Sequence, residues 1–124
     1  MIAFKNILLV LLGSSVGGAL RYAFSIWIPS KSGSFPWGTF WVNVIGCFLM
    51  GIIMGMIQKQ ELQHTELKLL LATGFCGGFT TFSAFALENI DLLKQGNYTT
   101  LFLYTLASIV LGFVAVWIGN LWIR

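Results

Sequence analysis

Along this chain, long apolar runs alternate with short polar patches. Four runs, 7–28, 37–57, 67–93 and 101–123, reach or exceed the ~20 residues that cross a hydrocarbon core as a helix. The patches between them, 29–36, 58–66 and 94–100, are too short to hold a soluble domain. The pattern predicts an all-α membrane protein, with four transmembrane helices in one domain over 1–124. The stretch "GFCGGFTTFSAF", 74–85, interrupts the third run with three glycines, two adjacent threonines and four phenylalanines. Glycine and threonine weaken helix propensity, so the third helix is expected to break there, at mid-membrane. An unwound segment at that depth persists only where its freed carbonyls and amides meet protein, water or an ion, and its carbonyls suit a cation.

Composition agrees with a membrane location. The chain is 57% hydrophobic and 9% charged, far below the roughly one-quarter charged content of soluble domains. Its mean hydropathy is +0.86. The opening "MIAFKNILLVLLGSSVGGA" has the outline of a secretory signal, but hydrophobicity resumes after Arg21 as "YAFSIWI", so the segment is expected to stay as the first helix. Net charge is +3, yet the basic residues stand singly at span ends, which reads as headgroup anchoring and excludes a nucleic-acid surface. Cys47 and Cys76 lie inside spans as small apolar residues, and without histidine neighbours they make no metal site or disulfide framework. His64 stands alone in a polar loop and is expected to be solvated.

Orientation is weakly specified. Lys5, Lys59, Lys68 and Arg124 fall on the side of the termini, against Lys31 and Lys94 on the other, joined by Arg21 if it snorkels there. A chain this balanced is expected to insert both ways and pair antiparallel with itself; the plainer alternative is a monomer oriented by its first span. Gly13 with Gly17, and Gly51 with Gly55, permit close helix contact within one bundle or between chains.

Polar groups at membrane depth are the functional candidates, because lipid offers them no hydrogen bonds. They are Arg21, Asn43, Thr80, Thr81, Ser83, Glu88, Thr105 and Ser108. Glu88 lies toward an interface and the first, second and fourth spans hold no carboxylate, which disfavours proton coupling. Asn43 and the hydroxyls can solvate an anion without carrying charge. Arg21 either snorkels to phosphates or lends positive potential to an aqueous entrance. Phe82 and Phe85, three apart, share a helix face with Thr81 and Glu88 nearby, and ring edges are electropositive.

Taken together, "GFCGGFTTFSAF", "GGALR" (17–21), "WGTFWVNVIG" (37–46), "TTFSAFALE" (80–88) and, more loosely, "YTLAS" (104–108) resemble the Fluc family of small bacterial fluoride channels, also called CrcB proteins. The resemblance covers essentially the whole chain. It implies a multi-pass protein of the bacterial plasma membrane: a dual-topology antiparallel homodimer with two pores, each lined by both subunits. It further implies that Phe82 and Phe85 are the paired pore phenylalanines and that Asn43 donates to fluoride. Thr81, Ser83, Tyr104 and Ser108 match the polar track or its surroundings, Thr39 and Glu88 match groups near a vestibule, and Arg21 matches the first-span arginine. The carbonyls of Gly77 and Thr80 from both subunits would enclose a central, structural sodium ion. Ala84 departs from the threonine or serine of many relatives.

Two other classes fit less well. A proton-coupled small multidrug exporter shares the four-span plan but needs a first-span carboxylate, which 7–28 lacks. A membrane scaffold protein accounts for Gly51 and Gly55 but leaves the break, the phenylalanine pair and Asn43 without a purpose. An enzyme lacks any Ser/His/Asp or Cys/His set at membrane depth.

Overall fold

The computed structural model describes residues 2–59 and 65–123; the expectations for His64 and Arg124 lie outside the described residues. Among the described residues, four helical stretches are long and apolar enough to cross a membrane. Two are simple helices at the start, α1 (Ile2–Trp27) and α2 (Trp37–Gln58). The third is composite: α3 (Thr65–Lys68) runs into a π-helical segment (Leu69–Cys76), then α4 (Gly77–Phe79), then α5 (Phe82–Lys94). The last is α6 (Tyr98–Ile123).

The expected break is present, but its chemistry differs from the expectation. Thr80 (φ −83°, ψ 159°) and Thr81 (φ −150°, ψ 121°) are extended, whereas Gly77 keeps helical angles (φ −62°, ψ −37°). The threonines therefore make the break, and the glycines serve another purpose. Thr81 is accordingly the N-cap of α5, its side chain accepting from Ala84 N.

Close approach explains the glycines. In lipid there is no hydrophobic drive between helices, so association rests on packing, which small residues allow at backbone range. A Cβ on Gly17 would overlap the Phe75 carbonyl and lie 2.8 Å from Phe79 N. One on Gly78 would lie 2.8 Å from Ser14 Cα, and one on Gly74 would lie 3.0 Å from Gly13 Cα. Thus α1 lies backbone to backbone on the π-helical segment and α4. On the other side of the bundle, added carbons at Gly51 and Gly119 would overlap the carbonyls of Val116 and Phe48, seating α2 on α6. Both sequence pairs, Gly13 with Gly17 and Gly51 with Gly55, work within one chain.

The interior is thin, as a four-helix bundle in lipid permits. One cluster joins Phe40, Leu92 and the fully buried Tyr104, and another joins Ile53, Ala72 and Cys76. Large apolar side chains such as Phe4, Leu12, Val16 and Trp117 face outward. The turn from α5 to α6 closes by Gly96 N to Leu93 O (3.0 Å) and Asn97 N to Leu92 O (2.9 Å), with Gly96 at φ +72°, a Schellman geometry. Asn97 also caps α6, which is why that helix starts at Tyr98 and not at Leu101. Its Nδ2 donates to Gly33 O while Gln95 Nε2 donates to Ser32 Oγ at 2.9 Å, fastening the 29–36 loop to this turn.

The α1 contact yields a paired test. Gly17→Val should destabilise the purified protein by about 1–3 kcal/mol or more, as overpacking does. Gly18→Ala, whose Cβ would meet Gly78 O only at 4.0 Å, should leave the thermal unfolding midpoint in detergent near the wild-type value. Equal midpoints for the two variants would contradict the contact.

Candidate functional site

The break is held by a single side chain from α2. Asn43 Nδ2 donates to Thr81 O (3.1 Å), and Thr81 N donates to Asn43 Oδ1 (2.8 Å). Its amide thus offers Thr81 what a peptide group would, one donor and one acceptor in a plane. This is both interhelical glue and a positioned amide, since the second Nδ2 hydrogen is not needed for the pair.

The carbonyls upstream of the break divide into those with donors and those without. Cys76 O accepts from Thr80 N (3.0 Å) and from Thr80 Oγ1 (2.8 Å). Gly78 O accepts from Arg21 Nε (3.1 Å). Gly77 O would take the Thr81 amide in a continuous helix, but that amide is bound to Asn43. Among the described residues, no donor of the chain reaches Gly77 O or Thr80 O. Neutral, donor-free carbonyls at membrane depth suit a hard monovalent cation, so the residues expected to hold sodium fit that ion. No cluster of His, Cys, Asp or Glu able to hold a metal occurs among the described residues.

An open groove of about 460 Å³ runs between α2, the broken span and α6, and is lined by Asn43, Gly77, Thr80, Thr81, Phe82 and Phe85 among others. Ser108 lines the same groove from α6, and its Oγ is buried without a hydrogen-bond partner. Phe82 is 79% exposed, with its ring centroid 5.9 Å from that of Phe85. Phe85 in turn packs at 5.1 Å on Tyr104. Cys47 and Cys76 also line this groove.

A second cavity of about 280 Å³ lies behind the break and is lined by Arg21, Thr39, Thr81 and Glu88 among others. Thr81 is common to both spaces. Glu88 is engaged at both oxygens, accepting from Thr39 Oγ1 and from Tyr104 OH at 2.8 Å each. Ser83 stands outside both cavities, with its Oγ 3.2 Å from Thr81 Oγ1. The sequence-derived set is therefore split: Asn43, Thr80, Thr81, Phe82, Phe85, Ser108 and Gly77 share the groove, while Arg21, Thr39 and Glu88 sit behind it and Tyr104 is buried between.

Sequence reasoning missed Ser14, whose Oγ donates to Gly74 O at 3.3 Å. Its place between Gly13 and Gly17 on the close-packed face was the available signal. It also offered two readings of Arg21, headgroup snorkelling or an aqueous entrance, and missed the carbonyl contact that the fold provides.

Residues 8–120 match the family model described as CrcB-like protein, Camphor Resistance (CrcB). A protein of Phocaeicola vulgatus named fluoride-specific ion channel FluC is 42% identical over 116 residues, covering 93% of this chain and 95% of the relative. Identically named proteins of Azobacteroides pseudotrichonymphae (46% identical, 93% of each chain) and Oceanobacillus iheyensis (44% identical, 93% of this chain and 88% of the relative) agree. A match that runs from within α1 into the last turn of α6 shows that the chain belongs to the CrcB family.

Proposed function

We propose that this protein is a passive, fluoride-selective channel that lets fluoride leave the cytoplasm, working as an antiparallel homodimer with two pores and a central sodium ion. The observation that carries the reading is the groove in which an unwound backbone, Asn43, the Phe82 and Phe85 pair and the unpartnered Ser108 hydroxyl converge. The names of the relatives supply the ion.

Fluoride is small and tightly hydrated, so conduction requires donors that replace its water at short range and still release it. Asn43, Thr81 and Ser108 offer neutral donors, and phenyl ring edges offer weak positive potential in a narrow, dry path. Hydrogen fluoride crossing into a more neutral cytoplasm dissociates, and the trapped anion leaves down its gradient. The groove is open along the flank where Phe82 is exposed, and a second copy laid antiparallel would close it. The weak bias of basic residues between the two sides supports such dual insertion. A sodium ion bound beside the break would supply positive charge near the path; the Gly77 and Thr80 carbonyls are the groups that would hold it.

Reconstituted protein should release trapped fluoride from liposomes, read with a fluoride electrode; liposomes that retain their fluoride would end the proposal. Phe82→Ile should slow that efflux by roughly tenfold or more, equivalent to about 1.4 kcal/mol of barrier, while the dimer persists on size exclusion. Undiminished efflux would remove Phe82 from the pathway. Asn43→Asp should also impair efflux, since it faces the Thr81 carbonyl with an acceptor and sets a negative charge at the groove; wild-type flux would argue against the assigned donor. A cysteine at Ser32 in the 29–36 loop should label from both faces of sealed vesicles, and labelling from one face alone would exclude dual topology.

A further inference from the structure

The face of α1 that meets the third span carries Ser14, Gly17, Gly18 and Arg21, the i, i+3, i+4, i+7 spacing of one helical stripe. Gly17, with Gly13 one turn before it, fixes that face against the π-helical segment and α4 at backbone distance. The two polar residues at its ends then reach carbonyls four residues apart: Ser14 Oγ to Gly74 O, and Arg21 Nε to Gly78 O. Arg21 forms no ion pair among the described residues, and Glu88, which lines the same cavity, has both oxygens occupied by hydroxyls. The geometry therefore shows Arg21 committed to a backbone oxygen.

We infer that Arg21 is the positioning residue of the break: by holding the Gly78 carbonyl through Nε, it fixes the α4 turn and keeps that oxygen from competing with the free Gly77 and Thr80 carbonyls for a monovalent cation. The inference rests on the cation reading above and adds to it. In a continuous helix the Gly78 carbonyl would accept from the Phe82 amide, which the extended Thr80 and Thr81 carry out of register. Cys76 O is taken by Thr80 and Gly78 O by Arg21, while among the described residues no donor reaches Gly77 O, Phe79 O or Thr80 O. Without the Arg21 bond, a further donor-free carbonyl would compete and the α4 turn would lose its fixed orientation.

A bond role and a charge role make opposite predictions. A guanidinium near a bound cation repels it, so removing charge alone should strengthen sodium binding. Removing the bond should weaken it. The side chains available separate these cleanly: glutamine places its Nε2–H at the same distance along the side chain as the arginine Nε–H, without charge, whereas lysine keeps the charge but puts a methylene at that position.

The test is thermal unfolding of the full-length protein in detergent, with Na+ titrated against N-methylglucamine at constant ionic strength. The wild-type midpoint should rise with Na+. Arg21→Met and Arg21→Lys should raise the half-stabilising Na+ concentration by about tenfold or more, and Arg21→Gln should stay within about threefold of wild type or below it. Should Arg21→Met fail to fold, the comparison of Gln with Lys decides by itself. Sodium affinity unchanged in Lys and raised in both Met and Gln would overturn the inference in favour of a charge role, and retention in Lys with loss in Gln, or three variants that all titrate like wild type, would overturn it outright. A wild-type midpoint indifferent to Na+ would strike the cation reading itself, an outcome distinct from a normal wild-type response with unaffected variants.

Discussion

The structure turns on one side chain bonding both polar groups of one residue: the Asn43 amide on Thr81 N and Thr81 O. Hydrocarbon offers no substitute partner, and an unsatisfied backbone group there costs several kcal/mol. A break in a spanning helix is therefore tolerable only where something else completes the peptide hydrogen bonds. An asparagine carries a planar donor and acceptor on a short, stiff stem, so it can take the place of a missing turn. With that substitution made, Thr81 can turn extended and cap α5, Phe82 and Phe85 are presented at the mouth of a groove, and Gly77 loses its usual donor.

The other two partners of the broken span follow from that vacancy in the helical ladder. On one side α2 supplies Asn43, and on the other α1 supplies Ser14 and Arg21. Neither helix could reach so far into the third span with larger residues at the crossing, which is why Gly13, Gly17, Gly74 and Gly78 gather where the backbones touch. The π-helical turn before the break belongs to the same arrangement, since Gly74 within it accepts from Ser14 of α1 and its backbone meets Gly13 and Gly17.

Much of this was legible in the sequence. Four spans follow from run lengths, and the position of the break follows from the crowding of poor helix formers between Gly74 and Phe85. Asn43 stands out because an amide in an apolar run demands a partner. What could not be read was which partner. Spacing along a chain gives the face of each helix but not the rotation of one helix against another, so the two readings of Arg21 stood side by side and its bond to the Gly78 carbonyl went unseen. The same limit hid the link from Thr39 to Glu88 to Tyr104, although all three residues had been singled out. The glycines misled in a more instructive way: low helix propensity and permission for close approach leave the same mark in a sequence, and here the second was the operative property while β-branched threonines made the break. The π-helical segment has no compositional signal in "LLLATGFC" at all.

Charge placement completes the picture. The chain keeps Arg21 and Glu88 in the cavity behind the break, each engaged by uncharged partners, and lines the groove with neutral groups. For a channel carrying a small anion this division has a clear energetic reason. A unit charge about 4 Å from the path would bind the ion by ~4 kcal/mol at an effective dielectric constant near 20, and that slows its departure by roughly a thousandfold. A carboxylate at the same distance would exclude the ion by as much. Neutral amides and hydroxyls stabilise the ion enough to replace water and not enough to retain it. On the proposed function, the hydrogen bonds that satisfy Arg21 and Glu88 would belong to the permeation chemistry even though neither residue lines the groove, because they would anchor two charges where these shape the potential without becoming traps.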